Sequence, residues 1–570
     1  MQLVNTGFEE RFELTEEQLV EMVNSRRGER LERISRYAGR SLNELVGEMA
    51  EFCGLEQVEH NRFDLKALQK VPVRILHEFH CVPIGLLSGE DDEEVGDEAT
   101  RFPFTLATSW PVTPEMDDWV YAACGDRPRW VIAHPERISN FITQNLGVGA
   151  ESLDDSFELE AELATVEDEE EDEDAAIIRF VNEVFNQAIS GGATDIHFEP
   201  MEDYLRIRYR IDGLLVPVPV PENLRRFQDA IVSRLKIMAK LNISERRLPQ
   251  DGRINHKVGS TTLDIRLSTM PVMYGESISL RLLNKKDKPL SLAQLGMSER
   301  DTSVVNRVLN LPHGIILVTG PTGSGKSTSL NAFIRSINSD DRRIITVEDP
   351  IEYEVAGVNQ IQVKPDIGFG FAEALRHVLR QDPNVIMVGE IRDRETADIA
   401  VQASLTGHLV FSTLHTNDSA GAITRLIDMG VEPFLIASSV EMVIAQRLLR
   451  RACPSCMGMR SAEPMEIEDA LKVLDLSPSL ASGVSELPES CGCETCRGIG
   501  YKGRIGIYEI LRVTEKMHEP IVRREAAPVI RQLGLEAGMV SLGRSGWNLV
   551  DRKLTTLEEV VRTISVKEGE

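Results

Sequence analysis

The sequence predicts a multidomain α/β protein whose largest domain is a parallel sheet covered on both faces. Three observations predict it. The chain has 570 residues, too many for one hydrophobic core, so several domains of roughly 100–200 residues are expected. Between residues 291 and 450, apolar runs of strand length alternate with helical stretches, the pattern of a buried parallel sheet. Within that region the glycine-rich GPTGSGKST separates the apolar run GIILVT from the helix-compatible SLNAFIRSIN, so strand, loop and helix follow in the order a phosphate-binding loop requires.

Residues 1–150 begin with the polar helical stretch LTEEQLVEMVNSRRGERLERISRYAG. They continue with short strands alternating with helices in FPFTLATSWPVTPEMDDWVYAACGDRPRWVIAHPERISNFITQNLG. This segment reads as an N-terminal adaptor domain without recognisable chemistry. Residues 151–174, ESLDDSFELEAELATVEDEEEDED, are so dense in carboxylates that they repel one another, which predicts an acidic flexible linker. Over residues 175–290, YLRIRYRIDGLL and TLDIRLST alternate as strands do and carry arginines, so a second α/β domain is expected there. The parallel-sheet domain occupies 291–450, two cysteine pairs mark 451–510, and 511–570 closes as a helical segment.

At 42% apolar and 27% charged, the composition is that of a folded soluble protein. The formal charge of -28 repels phosphate backbones and disfavours nucleic acid as a partner. No apolar run is long enough to span a bilayer, and MQLVNTGFEERFELTEEQ carries charges where a signal peptide is apolar. The expectation is a cytoplasmic protein without membrane insertion of its own, attached to a membrane only through other proteins.

The residues Gly320, Pro321, Thr322, Gly323, Ser324, Gly325, Lys326, Ser327 and Thr328 form the predicted nucleotide-binding loop. Its glycines let the backbone curl so that successive N–H groups face phosphate oxygens, and the following helix N-terminus adds partial positive charge. Lys326 reaches the β and γ phosphates, Ser327 offers its hydroxyl to Mg²⁺, and Thr328 lies near the α phosphate. Hydrolysis also needs acidic groups. RRIITV leads into Glu348, Asp349 and Glu352, NVIMV into Gly389 and Glu390, and HLVFSTL into His415. Ligands of open α/β sheets bind beyond the carboxyl ends of strands, so these ends should converge on the loop. A single acidic strand end often serves only solubility; several beside a phosphate loop point to phosphoryl chemistry. Cys453, Cys456, Cys493 and Cys496 supply four thiolates in two C-x-x-C pairs, a set that closes around structural Zn²⁺. No thioredoxin-like βαβ pattern surrounds them, which argues against a redox role. Cys491 is a spare thiol.

The segments TDIHFEP, RYRIDG, SERRLPQDGR, GPTGSGKST, VEDPIEY, LRQDPNVIMVGEIRDRETADIAVQASLTGHLVFSTLHTN and the paired cysteines resemble the secretion ATPase superfamily over residues 175–570. That superfamily includes type II secretion ATPases and type IV pilus motors. QASLTGHLV and TRLIDMGVEPFLIASSVEMVIAQRLLR resemble the type II secretion branch more closely. The resemblance implies a RecA-like ATPase core at 291–450, a PAS-like α/β domain before it at 175–290, a tetracysteine zinc subdomain at 451–510 and a helical C-terminal domain at 511–570.

It also implies roles. Glu390 stands at the Walker B position and Glu352 is the second glutamate of an acidic box, with the activation of water falling to one of them. His408 and His415 match a histidine box. Arg266 and Arg281 match arginines that reach nucleotide phosphates from the second domain, although without the resemblance they read as ordinary strand-face arginines. Arg376 and Arg380 share a helix face suited to the site or to a subunit boundary, and Arg504 matches a position facing the nucleotide. The implied cofactors are ATP, Mg²⁺ and Zn²⁺. The implied activity is ATP hydrolysis by a homo-hexamer that drives pseudopilus assembly and protein export, or alternatively type IV pilus extension. Its implied partners are an inner-membrane platform protein and a cytoplasmic-domain anchor protein. The N-terminal domain matches poorly: RRGERLERI is too weak a likeness to a cyclic-dinucleotide motif of some relatives to predict that ligand.

Overall fold

The computed structural model describes residues 8–12, 14–23, 25, 27–58, 62–63, 71, 75–76, 79–85, 104–146, 166–258, 261–283, 290–482 and 484–565. No helix among them is long and apolar enough to cross a membrane. The chain divides into two compact units, Met1–Leu283 and Asn284–Glu570.

The first unit holds two sheets. Strands β1 (Arg62–Phe63), β2 (Cys81–Gly85), β3 (Thr105–Thr108) and β4 (Arg129–Ile132) pair in that order, with β3 and β4 parallel. Helices Pro114–Cys124 and Pro135–Leu146 follow β3 and β4, the alternation expected of this stretch. Thr113 starts the first of these by accepting from the Met116 N–H. The second sheet comprises β5 (Ala193–Pro200), β6 (Leu205–Ile211), β7 (Leu214–Val218), β8 (Gln250–Val258), β9 (Thr261–Val272) and β10 (Gly275–Leu283), in the order β7-β6-β5-β10-β9-β8. Its pairs are antiparallel, and side chains alternate between faces. Ile196, Phe198, Ile207, Tyr209, Ile265, Leu267, Ile278 and Leu280 bury against helices Val166–Ser190 and Gln228–Met238. The opposite face carries Arg206, Arg208, Arg210, Arg253, Arg266 and Arg281.

Helix Val166–Ser190 corrects the expectation of a flexible linker over 151–174, since it begins inside that segment. Glutamate is a good helix former, and carboxylates are favoured at a helix N-terminus. Further along, Ile177, Phe180, Val181 and Val184 anchor the helix in the core, so the acidic start extends an already docked helix. Residues 151–165 lie outside the described residues.

The second unit is built on one sheet. Strands β11 (Gly314–Thr319), β12 (Ile344–Glu348), β13 (Asn359–Gln362), β14 (Val385–Val388), β15 (Leu409–Leu414) and β16 (Val440–Ala452) are parallel neighbours in the order β13-β12-β14-β15-β11-β16. The hairpin of β17 (Met457–Ser461) and β18 (Glu486–Ser490) stands apart, and β19 (Tyr501–Arg512) returns antiparallel to β16 at the sheet edge. Ile316, Val318 and Phe411 pack against helices Glu299–Leu309 and Lys326–Ile337. Ile315, Leu317 and Val410, on the other face, pack with helices Phe371–Val378, Arg394–Leu405 and Ser419–Asp428.

The boundaries expected at 450 and 510 therefore do not separate domains. Strand β16 carries the chain out of the sheet into the first cysteine pair, and β19 brings it back from the second. Beyond 510, Leu511, Val513, Met517, Ile521 and Ile530 share the sheet's own core. Short amphipathic helices cannot bury an apolar stripe alone, and the sheet supplies the missing surface.

Candidate active site

The phosphate loop leaves β11 at Gly320, whose φ is +147°, and enters helix Lys326–Ile337 through Gly325 at +87°. Both glycines are required by contact as well as by dihedral. A Cβ on Gly320 would fall 2.4 Å from the carbonyl oxygen of Gln446, and one on Gly325 would fall 2.8 Å from its Nε2. Lys326 folds back over the loop and donates from Nζ to Gly320 O at 2.8 Å and Pro321 O at 3.1 Å. Phosphate oxygens are stronger acceptors for that ammonium than loop carbonyls. The Ser327 hydroxyl, exposed beside it, is a hard oxygen donor of the kind that Mg²⁺ takes.

Because the strands are parallel, the carboxyl ends of β11, β12, β14 and β15 share one edge, and this brings Lys326, Glu348, Glu390 and His415 to the same side of the sheet. Three hydrogen bonds knit the Glu390 turn to the end of β15: Ser412 Oγ to Val388 O at 2.8 Å, Thr413 Oγ1 to Gly389 O at 2.7 Å, and Ile391 N to Thr413 O at 3.0 Å. The Glu390 side chain is 15% exposed, with Oε1 2.5 Å from Arg392 Nη2 and Oε2 3.7 Å from His415 Nε2. The hydrogen bond to Glu390 holds the Arg392 guanidinium more firmly protonated than usual.

The acidic box divides into two kinds of carboxylate. Burial raises the Glu348 carboxyl above the usual range, against hydrogen bonds from Thr346 Oγ1 at 2.6 Å and Gln360 Nε2 at 3.0 Å. Gln360 also donates to Tyr353 O at 2.9 Å and accepts from Val355 N at 2.8 Å. It thereby braces the loop on which Glu352 stands exposed. Glu348 is committed to the fold, and Glu352 is left open to solvent.

The remaining expected residues lie on several elements. His408 precedes β15, whose length of about 20 Å at roughly 3.3 Å per residue sets it at the opposite sheet edge from His415. Its Nδ1 pairs with Ala403 O at 2.8 Å, closing the end of helix Arg394–Leu405, so the two histidines do not form one site around this chain's phosphate loop. Arg266 and Arg281 belong to the first unit. They stand opposite each other on β9 and β10 with Arg253 next in the row, and Arg281 Nε donates to Asp195 Oδ1 at 3.1 Å. Arg376 pairs with Glu373 and Glu395, and Arg380 donates to Arg376 O at 3.1 Å. Arg504 lies on β19 opposite Arg450. Arg392 and Gln360 were not singled out from the sequence. For Arg392 the signal was present, a cation two residues past a catalytic-type glutamate in GEIRD; for Gln360 nothing local announces it.

The four cysteine sulfurs lie within 4.8 Å of one another. Cys453 and Cys493 are 3.9 Å apart, Cys456 and Cys496 3.7 Å, and Cys493 and Cys496 3.8 Å. A tetrahedron with Zn–S bonds of about 2.3 Å has S···S edges of about 3.8 Å, so the donor set fits such an ion. Backbone N–H groups of Cys493 and Gly500 donate to Cys496 Sγ at 3.1 and 3.2 Å, as around ligating thiolates. The thiols ionise unequally: the Cys496 N–H holds Cys493 down at about 6, and burial with the neighbouring sulfurs pushes Cys456 up to about 12. A cation would let all four ionise together.

A parallel sheet that aims a glycine loop, a lysine and a helix N-terminus at the edge where Glu390 sits defines a phosphate-loop nucleoside triphosphatase. Residues 170–562 match the family described as type II/IV secretion system protein, and the chain belongs to that family. It is 48% identical over 416 residues to the type II secretion system ATPase E of Vibrio cholerae, covering 73% of this chain and 80% of that protein. It is 45% identical over 391 residues to the type IV pilus assembly ATPase PilB of Myxococcus xanthus, covering 68% of each. The ATPase DotB of Yersinia pseudotuberculosis shares the fold, with TM-score 0.50 and 21% identity over 68% of this chain and 93% of that one. The protein is an ATPase, and the resemblance read from its motifs holds.

Proposed function

We propose that this ATPase is the Mg²⁺-dependent, homo-hexameric motor that drives pseudopilus assembly and protein export in a type II secretion system. The observation that carries the reading is its 48% identity to an ATPase of that system over 80% of the relative's length. The loop amides and Lys326 grip the β and γ phosphates, and Ser327 supplies an oxygen to the metal. Bound Mg²⁺ neutralises charge developing on the phosphates. Glu390 or Glu352 takes the proton of the attacking water, and Glu390 can do so only once its carboxylate leaves Arg392, 2.5 Å away. Arg266 and Arg281 add guanidinium charge to the phosphates, and His415 orients Glu390. Cys453, Cys456, Cys493 and Cys496 hold structural Zn²⁺. The N-terminal domain docks on the inner-membrane platform and anchor proteins, so the motor works from the cytoplasm without entering the bilayer or binding nucleic acid.

The likeness to a pilus assembly ATPase, 45% identical over 391 residues, favours one alternative, a type IV pilus extension motor. A deletion strain scored for extracellular enzyme release and for surface pili separates them. Lost export with intact pili supports the main reading, and lost pili with intact export supports the alternative. Full complementation by Lys326→Ala refutes both, because neither motor works without turnover.

A further inference from the structure

Strand β16 carries two buried polar residues in an apolar run, VEMVIAQRLL: Gln446 is 1% exposed and Arg447 7%. Burying an amide and a guanidinium is unfavourable unless their hydrogen bonds are made, so their partners report what the pair does. Adjacent strand residues point to opposite faces, and these two grip opposite walls of the site. On one face Gln446 Oε1 accepts from Ser329 Oγ of the phosphate-loop helix at 2.8 Å, while its carbonyl and amide nitrogen lie directly against Gly320 and Gly325. On the other face Arg447 Nη2 donates to Asn417 O at 3.2 Å and Asn417 Oδ1 at 3.0 Å. Asn417 is two residues past His415. The same loop is clasped once more at Thr416, whose N–H donates to Thr319 Oγ1 at 2.9 Å and whose hydroxyl is 2.7 Å from that oxygen. Thr319 pairs with Ala445 in the sheet register, so both clasps sit side by side on neighbouring strands.

We propose that Gln446 and Arg447 are positioning residues for ATP hydrolysis: one strand dipeptide holds the phosphate loop from one face and the His415 loop from the other. It sets the distance between bound phosphates and the Glu390–His415 pair, and it rests on the reading of that pair as working groups of the site. The dipeptide acts through these groups. A displacement of about 1 Å in such a constellation lowers turnover by about 100-fold. A lysine could not replace the planar fork that reaches two acceptors on Asn417 while Nη1 turns to Gln446 O at 3.5 Å.

The test is steady-state ATP hydrolysis together with direct binding of a fluorescent ATP analogue. Arg447→Met, Arg447→Lys and Asn417→Ala are each measured alone and in a His415→Ala background, and Ser329→Ala releases the Gln446 side. Arg447→Met is expected to lower kcat by about 10- to 100-fold while the analogue's Kd changes by less than about threefold. Arg447→Lys recovers part of the loss. Asn417 is exposed, so Asn417→Ala folds even if Arg447→Met does not, and it lowers kcat in the same direction; Ser329→Ala does so too. In the His415→Ala background the Arg447 and Asn417 losses shrink to less than about threefold, because the loop no longer carries the group it positions. Losses that multiply undiminished in that background, weakened binding at unchanged kcat, or an unaffected Asn417→Ala overturn the proposal. A His415→Ala variant with wild-type kcat instead refutes the reading of His415 on which it stands.

Discussion

Replacing Glu509 should loosen two helices at once. Its carboxylate on β19 is 2% exposed and faces the N-termini of helices Ser419–Asp428 and Leu542–Asp551. Oε1 accepts from Ser419 N at 3.1 Å and Ser419 Oγ at 2.6 Å, and Oε2 accepts from Leu542 N at 3.3 Å. The capping residues Asp418 and Ser541 serve the Gly421 and Arg544 N–H groups, so Glu509 takes first-turn donors the caps leave over. Each donor stranded without water is worth about 1–3 kcal/mol, and each lost charge–dipole contact about 0.3–1 kcal/mol. Because one carboxylate serves all of them, Glu509→Ala is expected to cost about 3–5 kcal/mol rather than the full sum. Glu509→Gln keeps an oxygen for one helix and turns a donor toward the other, for about 2 kcal/mol. Amide hydrogen exchange reads this locally: opening of both helices should speed by about 100- to 3000-fold in Glu509→Ala, since about 1.4 kcal/mol is tenfold. Acceleration confined to one helix, or below about fivefold in both, would refute the shared-cap argument.

Two further outcomes follow from the site. Burial raises the Glu348 carboxyl, so the folded chain holds that proton more tightly than the unfolded chain. The group's contribution to stability therefore falls as pH climbs from about 4 through its folded pKa. Glu348→Gln should accordingly melt at or above the wild-type temperature at pH 7.5, with the difference gone near pH 4; a variant clearly less stable at pH 7.5 contradicts this. Cys456→Ser should reduce bound zinc from about one ion per chain to a small fraction, measured colorimetrically after thiol modification. Proteolysis should then open the β17–β18 hairpin region before the parallel sheet, and full zinc retention would rule out the tetrahedral site.

The phosphate loop was legible because its chemistry is local: nine consecutive residues between an apolar strand and a helix carry the glycines, lysine and hydroxyls together. Glu390 and His415 were legible through strand ends, since parallel strands send their carboxyl ends to one edge. The resemblance grouped His408 with His415 in one histidine box, and such a grouping does not say that a six-residue strand stands between the two. It also set boundaries at 450 and 510, where composition changes but the sheet continues through β16 and β19. The acidic run suggested a linker because repulsion was visible and the docked helix beyond it was not.

By itself the sequence determined which residues form the glycine loop between strand and helix, which four thiols gather in one cluster and that a parallel sheet must lie between helices, since each depends on residues close in the chain or on strand periodicity. Tertiary structure alone decided that Glu348 is half-buried, that Gln446 and Arg447 lean on opposite walls of one site, and that Glu509 closes two helices far apart in sequence. Those roles come from hydrogen bonds between distant segments, whose partners exist only once the sheet has brought them within reach.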